Sequence, residues 1–343
     1  MVSPSTARQL FGATVAPVVD YASNIWMHAC GVSAIATINR VQRIGAQAIT
    51  GTFRTVATAI GEAEASIRSV RERHSERATK LWVDLRTLCK TNPLSRLRTK
   101  MLQRFTSPLQ KIAYTHRDTP TDKMEVIQPY VIPPWEDRLP ISINPDKDRA
   151  TEIAISTQGI QIATSSSRRR GMVGMGGAVY DTLSNREATT YSVTLGPRAE
   201  QNLYTAELAA ISTAIRCLPP DLQGRHITIF SSNQAALLAL SQPKQQSGQI
   251  SITQIYNTAR TLRQRSNRVL IAWVPQGEFD LGKKAKVAAR RATTQGRLPQ
   301  EQQHQAKATT INTARTKQWG RKTLPAVFLI IESGLVNRTI HNP

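Results

Sequence analysis

Ile162-Ala163-Thr164-Ser165-Ser166-Ser167, then Arg168-Arg169-Arg170, then Gly171-Met172-Val173-Gly174-Met175-Gly176-Gly177-Ala178-Val179 is the stretch whose reading decides the fold. Residues from Glu152 to Thr164 are expected to be extended, and Met172 to Tyr180 to form a glycine-rich strand. Ser165 to Arg170 then reads as a polar, basic hairpin tip or connection between them. Gly174, Gly176 and Gly177 inside a strand imply a close backbone approach or a bulge. The absence of a following Gly-Lys-Ser/Thr argues against a phosphate-cradling loop.

Outward from there the elements alternate. Thr190 to Leu195 alternates polar and apolar residues, as a half-buried strand does. Asn202 to Cys217 is a strong helix, stopped by Pro219-Pro220. Ile227 to Ser231 is a short strand, followed by a helix through Ala235, Leu237, Leu238 and Leu240. Ile250 to Arg265 reads as a helix, Val269 to Val274 as a strand and Gly282 to Thr294 as a basic helix. That order predicts an α/β fold, a mixed sheet with flanking helices.

Four segments follow. Residues 1–100 form a helical module, with Ile38, Val41, Ile44 and Ala48 on one face at helical spacing. Residues 101–150 carry Pro108, Pro120, Pro129, Pro133, Pro134, Pro140 and Pro145 with little periodicity, which reads as a linker. Residues 151–296 hold the sheet. Residues 297–343 are a basic, Gln-rich tail expected to be poorly ordered.

The charge points to a partner. Lys and Arg number 45 against 23 Asp and Glu, a net charge of +22 over 343 residues. Such an excess repels itself unless a polyanion is near, so nucleic acid is the expected partner, with no small-molecule substrate indicated. Lys283 to Lys322 concentrates eleven basic residues against one acid, Glu301. Either a solvated face or a phosphate-facing surface fits that run. Cys30, Cys89 and Cys217 lie far apart in no metal-ligand pattern, which argues against a disulfide scaffold or a zinc finger. The histidines have no ligand spacing either. The longest apolar run, Ala326 to Ile331, is far short of the ~20 residues a bilayer requires. With no secretory pattern at the N-terminus, an intracellular location, nucleus or cytoplasm, is expected, and the Asn337-Arg338-Thr339 sequon then carries no meaning.

Residues 150–295 carry landmarks in a definite order. They are Ile162 to Ser167, Tyr204-Thr205-Ala206-Glu207-Leu208-Ala209-Ala210, Ile229-Phe230-Ser231-Ser232-Asn233-Gln234-Ala235-Ala236-Leu237, and Ala272-Trp273-Val274-Pro275. Together they resemble a type 1 ribonuclease H domain, whose strand ends in T-D-G-S, whose helix carries A-E-L-x-A, and whose later strands end in S-D-S/N-x-A-A-L and W-V-P-G-H. The first hundred residues, through Tyr21-Ala22-Ser23, Trp26 and Ile38-Asn39-Arg40-Val41-Gln42-Arg43, resemble the segment after the polymerase core in non-LTR (LINE-like) retrotransposon proteins. No polymerase carboxylate pair is present, so the resemblance implies the C-terminal portion of such a polyprotein.

The family hydrolyses the RNA strand of an RNA–DNA hybrid with two Mg²⁺ ions held by four acids. The resemblance maps those acids onto Ser165, Glu207, Ser232 and Lys286, so only Glu207 is retained. The histidine expected after the tryptophan motif is Gly277. Mg²⁺ is therefore the family's cofactor, but this set of residues counts against it, because hard dications need several carboxylates. Asp181, Glu278 and Asp280 do not have the spacing to compensate. Glu207 has two readings, a vestigial ligand or a surface acid near a helix N-terminus. Arg168, Arg169, Arg170, Lys283, Lys284, Arg290 and Arg291 are the candidate nucleic-acid contacts, with a solvated basic loop and helix face as the plain alternative. Trp273 is expected in the core rather than as a stacking platform. The reading that results is a retrotransposon-derived ribonuclease H-like protein that binds an RNA–DNA hybrid or duplex and is catalytically degenerate. An active Mg²⁺-dependent ribonuclease with a rearranged acid set and a decayed coding fragment are its alternatives.

Overall fold

The computed structural model describes residues 2–27, 30–96, 106–117, 121–128, 132–133, 135–184, 186–294, 296–300 and 304–320. The Ala326–Ile331 run, the Asn337 sequon, Lys322 and the rest of the predicted tail beyond residue 320 lie outside them. The described residues fall into two compact units, one drawn from Met1–Leu85, Arg96–Thr119 and Ile311–Pro343, the other from Arg86–Ser95 and Pro120–Thr310.

The first unit is helical. Its helices are α1 (Pro4–Leu10), α2 (Ala16–Val19), α3 (Ser23–Trp26), α4 (Val32–Thr50), α5 (Thr58–Glu64), α6 (Val70–Arg86) and α7 (Pro108–Thr115). Ser107 caps α7 and Gln110 reciprocates, satisfying two helix-end donors at once. Gly51, in the left-handed region at φ 71°, ends α4. Phe11, Ala46, Ile49 and Ala65 form a small core. A charge knot fastens α6: the buried Asp20 carboxylate accepts from Arg73 Nε at 2.8 Å and Nη2 at 3.0 Å, and lies 3.0 Å from His74 Nε2. Burial holds the His74 pKa below its ordinary 6.5, although Asp20 pulls the other way.

The second unit is built on one sheet in the order β1-β6-β5-β2-β3-β4. Its strands are β1 (Ile141–Ser142), β2 (Ile160–Arg169), β3 (Met172–Asp181), β4 (Arg186–Pro197), β5 (His226–Ser231) and β6 (Arg268–Trp273). Helices α8 (Lys147–Ser156), α9 (Leu203–Arg216), α10 (Gln234–Ser241), α11 (Gln249–Gln264) and α12 (Asp280–Arg291) belong to it, with the first residues, Lys307 to Thr310, of α13 (Lys307–Gly320). β2, β3 and β4 form an antiparallel meander, while β5 runs parallel to β2, and β6 to β5. This is the mixed sheet with flanking helices expected from the element order, with a sixth strand, β1, at its edge.

Alternation along β2 explains the two layers. Ile162 packs with Leu208, Ile211 and Ile215 of α9, in a core shared with α10 and α11. Ala163, its neighbour in sequence, packs on the opposite face with Phe279 and Ala285 at α12. The β2–β3 hairpin turns through two residues, Arg170 (φ 51°) and Gly171 (φ 76°), both left-handed, as the twist of a two-residue hairpin demands. The glycines of β3 make room for α12: a Cβ on Gly176 would lie 2.4 Å from Ala289 N, and one on Gly174 2.4 Å from Ala292 Cβ. A bulge also falls between Val173 and Gly174.

Three expectations need correction. Glu152 to Ser156 is helical, not extended: Asp146 caps α8 by accepting from the Asp148 and Arg149 N–H groups, and β2 begins only at Ile160. Within the predicted linker, Ile132 and Leu139 are core residues and Ile141–Ser142 adds a strand beside Ile271–Ala272. Around the start of the predicted tail, Gln305, Ala306, Thr309 and Thr310 are buried, and Gln305 pairs with Met124 in a parallel bridge. Glu125 ties these segments together. Its buried carboxylate accepts from Gly248 N and Lys307 N, each at 2.7 Å, at the first turns of α11 and α13.

Candidate functional site

The carboxyl ends of β5 and β6 and the middle of β2 meet α12 at a small cleft of about 30 Å³. Thr164, Ser165, Ser231, Ser232, Gly277 and Lys286 are among its lining residues. Three of the four mapped positions, Ser165, Ser232 and Lys286, are thus brought to one place.

Glu207 lies behind that cleft rather than in it. Only 1% exposed, it is not the surface acid that one reading expected. Its Oε1 accepts from Thr164 Oγ1 at 2.9 Å and Ser231 Oγ at 2.8 Å. The Asn202 side chain caps α9 and sets the helix that carries it. Burial, with the Glu207 charge second, raises the Tyr191 phenol, which donates to Ala210 O. Thr164 and Ser231 are the hydrogen-bond partners of Glu207 that the sequence reading missed. Each sits one residue from a mapped position.

Lys286 enters the cleft from α12 and donates from Nζ to Ser166 O at 2.7 Å. Burial lowers its pKa; Glu207 opposes that shift, and Arg290 and Arg169 add to it. Both arginines therefore stand near the same ammonium. Arg168, Arg169 and Arg170 are exposed at the hairpin end, and Lys283, Lys284, Arg290 and Arg291 are exposed along α12. Lys283 is paired with Asp280 at 2.8 Å. Trp273 is buried, as expected, and its Nε1 donates to Ser232 O at 3.2 Å. Gly277, where the family has histidine, is left-handed at φ +95°.

Two Mg²⁺ ions do not fit this donor set. Among the described residues no three His, Cys, Asp or Glu side chains gather as a metal site. Glu207 is already engaged by two hydroxyls, Asp181 by Arg225 at 2.6 Å, and Asp280 by Lys283. An ammonium about 4 Å from a dication would add roughly 4 kcal/mol per unit charge at an effective dielectric near 20. No helix among the described residues is long and apolar enough to cross a membrane.

The class these features define is a mixed α/β sheet domain with a hydroxyl-lined, cationic cleft beside a basic rim. Neither a protein-family model nor a curated sequence matches the chain. Among solved structures, it is similar to the N-terminal ribonuclease H domain of a Mycobacterium tuberculosis protein, at 12% identity over 40% of this chain and 99% of that one, with a TM-score of 0.33. It is similar to ribonuclease H1 of the archaeon Halobacterium salinarum, at 13% identity over 39% of this chain and 96% of that one, TM-score 0.30. The LC11 ribonuclease H1, solved in complex with an RNA/DNA hybrid, shares 14% identity over 39% of this chain and 99% of that one, TM-score 0.32. The fold class stands on the sheet order and register described above.

Proposed function

We propose that the chain is a ribonuclease H-like protein of retroelement origin that binds an RNA–DNA hybrid or duplex by phosphate contacts and does not hydrolyse it. One observation carries this reading. Lys286 places a cation where the resemblance puts a metal-binding acid, bonded to Ser166 O and beside two serines at other acid positions. The net charge of +22 and the exposed arginines of the β2–β3 turn supply the polyanion-facing surface. The retroelement origin is supported by the landmark order and by the motifs of the first hundred residues.

The test is hybrid affinity of the intact chain across a salt series. Affinity should fall about 10³-fold between about 50 and 200 mM salt, as six or more phosphate contacts require. Replacing Arg168, Arg169 and Arg170 by glutamine should flatten the slope. A salt-independent affinity, or none measurable at low salt, contradicts the reading and leaves the decayed fragment as the better account.

A further inference from the structure

The cleft offers hydrogen-bond donors to whatever enters it. The Thr164 and Ser231 hydroxyls point to Glu207 Oε1, at 2.9 and 2.8 Å, with Phe230 O a second acceptor for Thr164 at 3.3 Å. The groups that remain are donors. Lys286 has three N–H bonds and gives one to Ser166 O. Ser165 and Ser232 line the same cavity. A space of about 30 Å³ admits a water-sized group, too small for a base or a sugar but sufficient for one oxygen of a phosphate at its mouth. Gly277 stands beside the opening with no atom near its Cβ position. Exposed Arg169 and Arg290 supply further positive charge around Lys286.

Resting on the nucleic-acid reading above and giving it a place, we propose that this cleft is a phosphate-binding site in which Lys286, Ser165 and Ser232 hold one oxygen of a phosphate group. The proposal names phosphate chemistry, which a nucleic-acid backbone or free inorganic phosphate could supply. Charge-assisted donors to phosphate are the strong kind, and an ammonium serves as a point contact without base preference. The site is therefore expected to be indifferent to sequence.

Two measurements on the intact chain separate the sources. The first follows acetylation of Lys286 by an amine reagent, read by peptide mass, with inorganic phosphate, with hybrid and with neither. The second compares hybrid affinity and salt slope for the native protein, Lys286→Gln, a Ser165→Ala/Ser232→Ala variant, and Lys147→Gln on exposed α8. The expected result is that hybrid slows acetylation of Lys286, and that Lys286→Gln weakens hybrid binding about tenfold and lowers the salt slope by about one. The double serine variant should weaken binding without changing the slope, and Lys147→Gln should match the native protein. Protection by inorganic phosphate as well would show that the site takes the isolated anion. Salt-dependent hybrid binding with Lys286 unprotected, or with Lys286→Gln binding as the native protein, overturns the phosphate cleft while the nucleic-acid reading stands. Protection by phosphate without hybrid binding overturns the nucleic-acid reading and keeps the site as one for free phosphate. The labelling uses unaltered protein, so a variant that fails to fold leaves the test intact.

Discussion

Glu207 shows how a single acid changes meaning with its neighbours. Held by two hydroxyls at 1% exposure, it is part of a buried network, and Ser165, Ser232 and Lys286 line the cleft beside its two hydroxyl partners. If those three occupy positions of lost metal-binding acids, converting all three to aspartate changes the local charge by about −4 and creates a four-carboxylate set with Glu207. That triple variant should gain detectable Mg²⁺-dependent cleavage of an RNA–DNA hybrid, lost again on Glu207→Gln. Single restorations should gain far less, because ligands acting as a unit are not additive. A folded triple variant without cleavage would mean that the alignment is shifted or that the cleft has drifted further than these positions reveal. Motif order singled out Ser165, Ser232 and Lys286, which the structure gathers at one cleft, but not the hydrogen bonds around them. Thr164 and Ser231 carry no chemical signature in a sequence, and only the alternation of β2 and the approach of α9 assign them to Glu207.

At the scale of elements, β3 and α12 pack closely, and the glycines announced it. Gly176→Ala should destabilise this unit by about 1–3 kcal/mol, because the new methyl meets helix backbone at 2.4 Å rather than a movable side chain. Thermal unfolding checks it, and an unchanged melting temperature would place α12 further from β3. The core strands and α9 to α12 were legible because their periodicity is strong and long. α8 was not: Ile153 and Ile155, two apart, suggest a strand, yet both are substantially exposed and the Asp146 cap with buried Ala150 and Ala154 makes the helix. β1 is two residues long, and the docking of residues 304–310 depends on Glu125, some 180 residues away in the chain, beyond any local pattern. In the helical unit the Asp20–His74–Arg73 knot predicts a pH dependence. Because burial holds His74 below 6.5 when folded, the unfolded chain binds more protons near that value. Stability of this unit should therefore fall as pH drops below about 6.5, and His74→Gln should remove that part of the dependence. Melting followed from pH 7.5 to 5 reads it, and a rise in stability over that range would contradict the assignment.

Across the whole molecule the charge and the cleft tell one story. A net charge of +22 drives association with any polyanion, so binding by itself does not distinguish a catalyst from a holder of nucleic acid. On the proposed reading the distinction lies in the cleft, where a cation and two serines stand at positions that the resemblance assigns to carboxylates. The most direct measurement incubates the intact chain, at a salt concentration where binding is saturated, with an end-labelled RNA–DNA hybrid and Mg²⁺, and follows both bound fraction and RNA length. The account predicts a fully bound hybrid with its RNA strand intact. RNA cleavage that requires Mg²⁺ and disappears in Glu207→Gln would contradict it and make the chain an active ribonuclease.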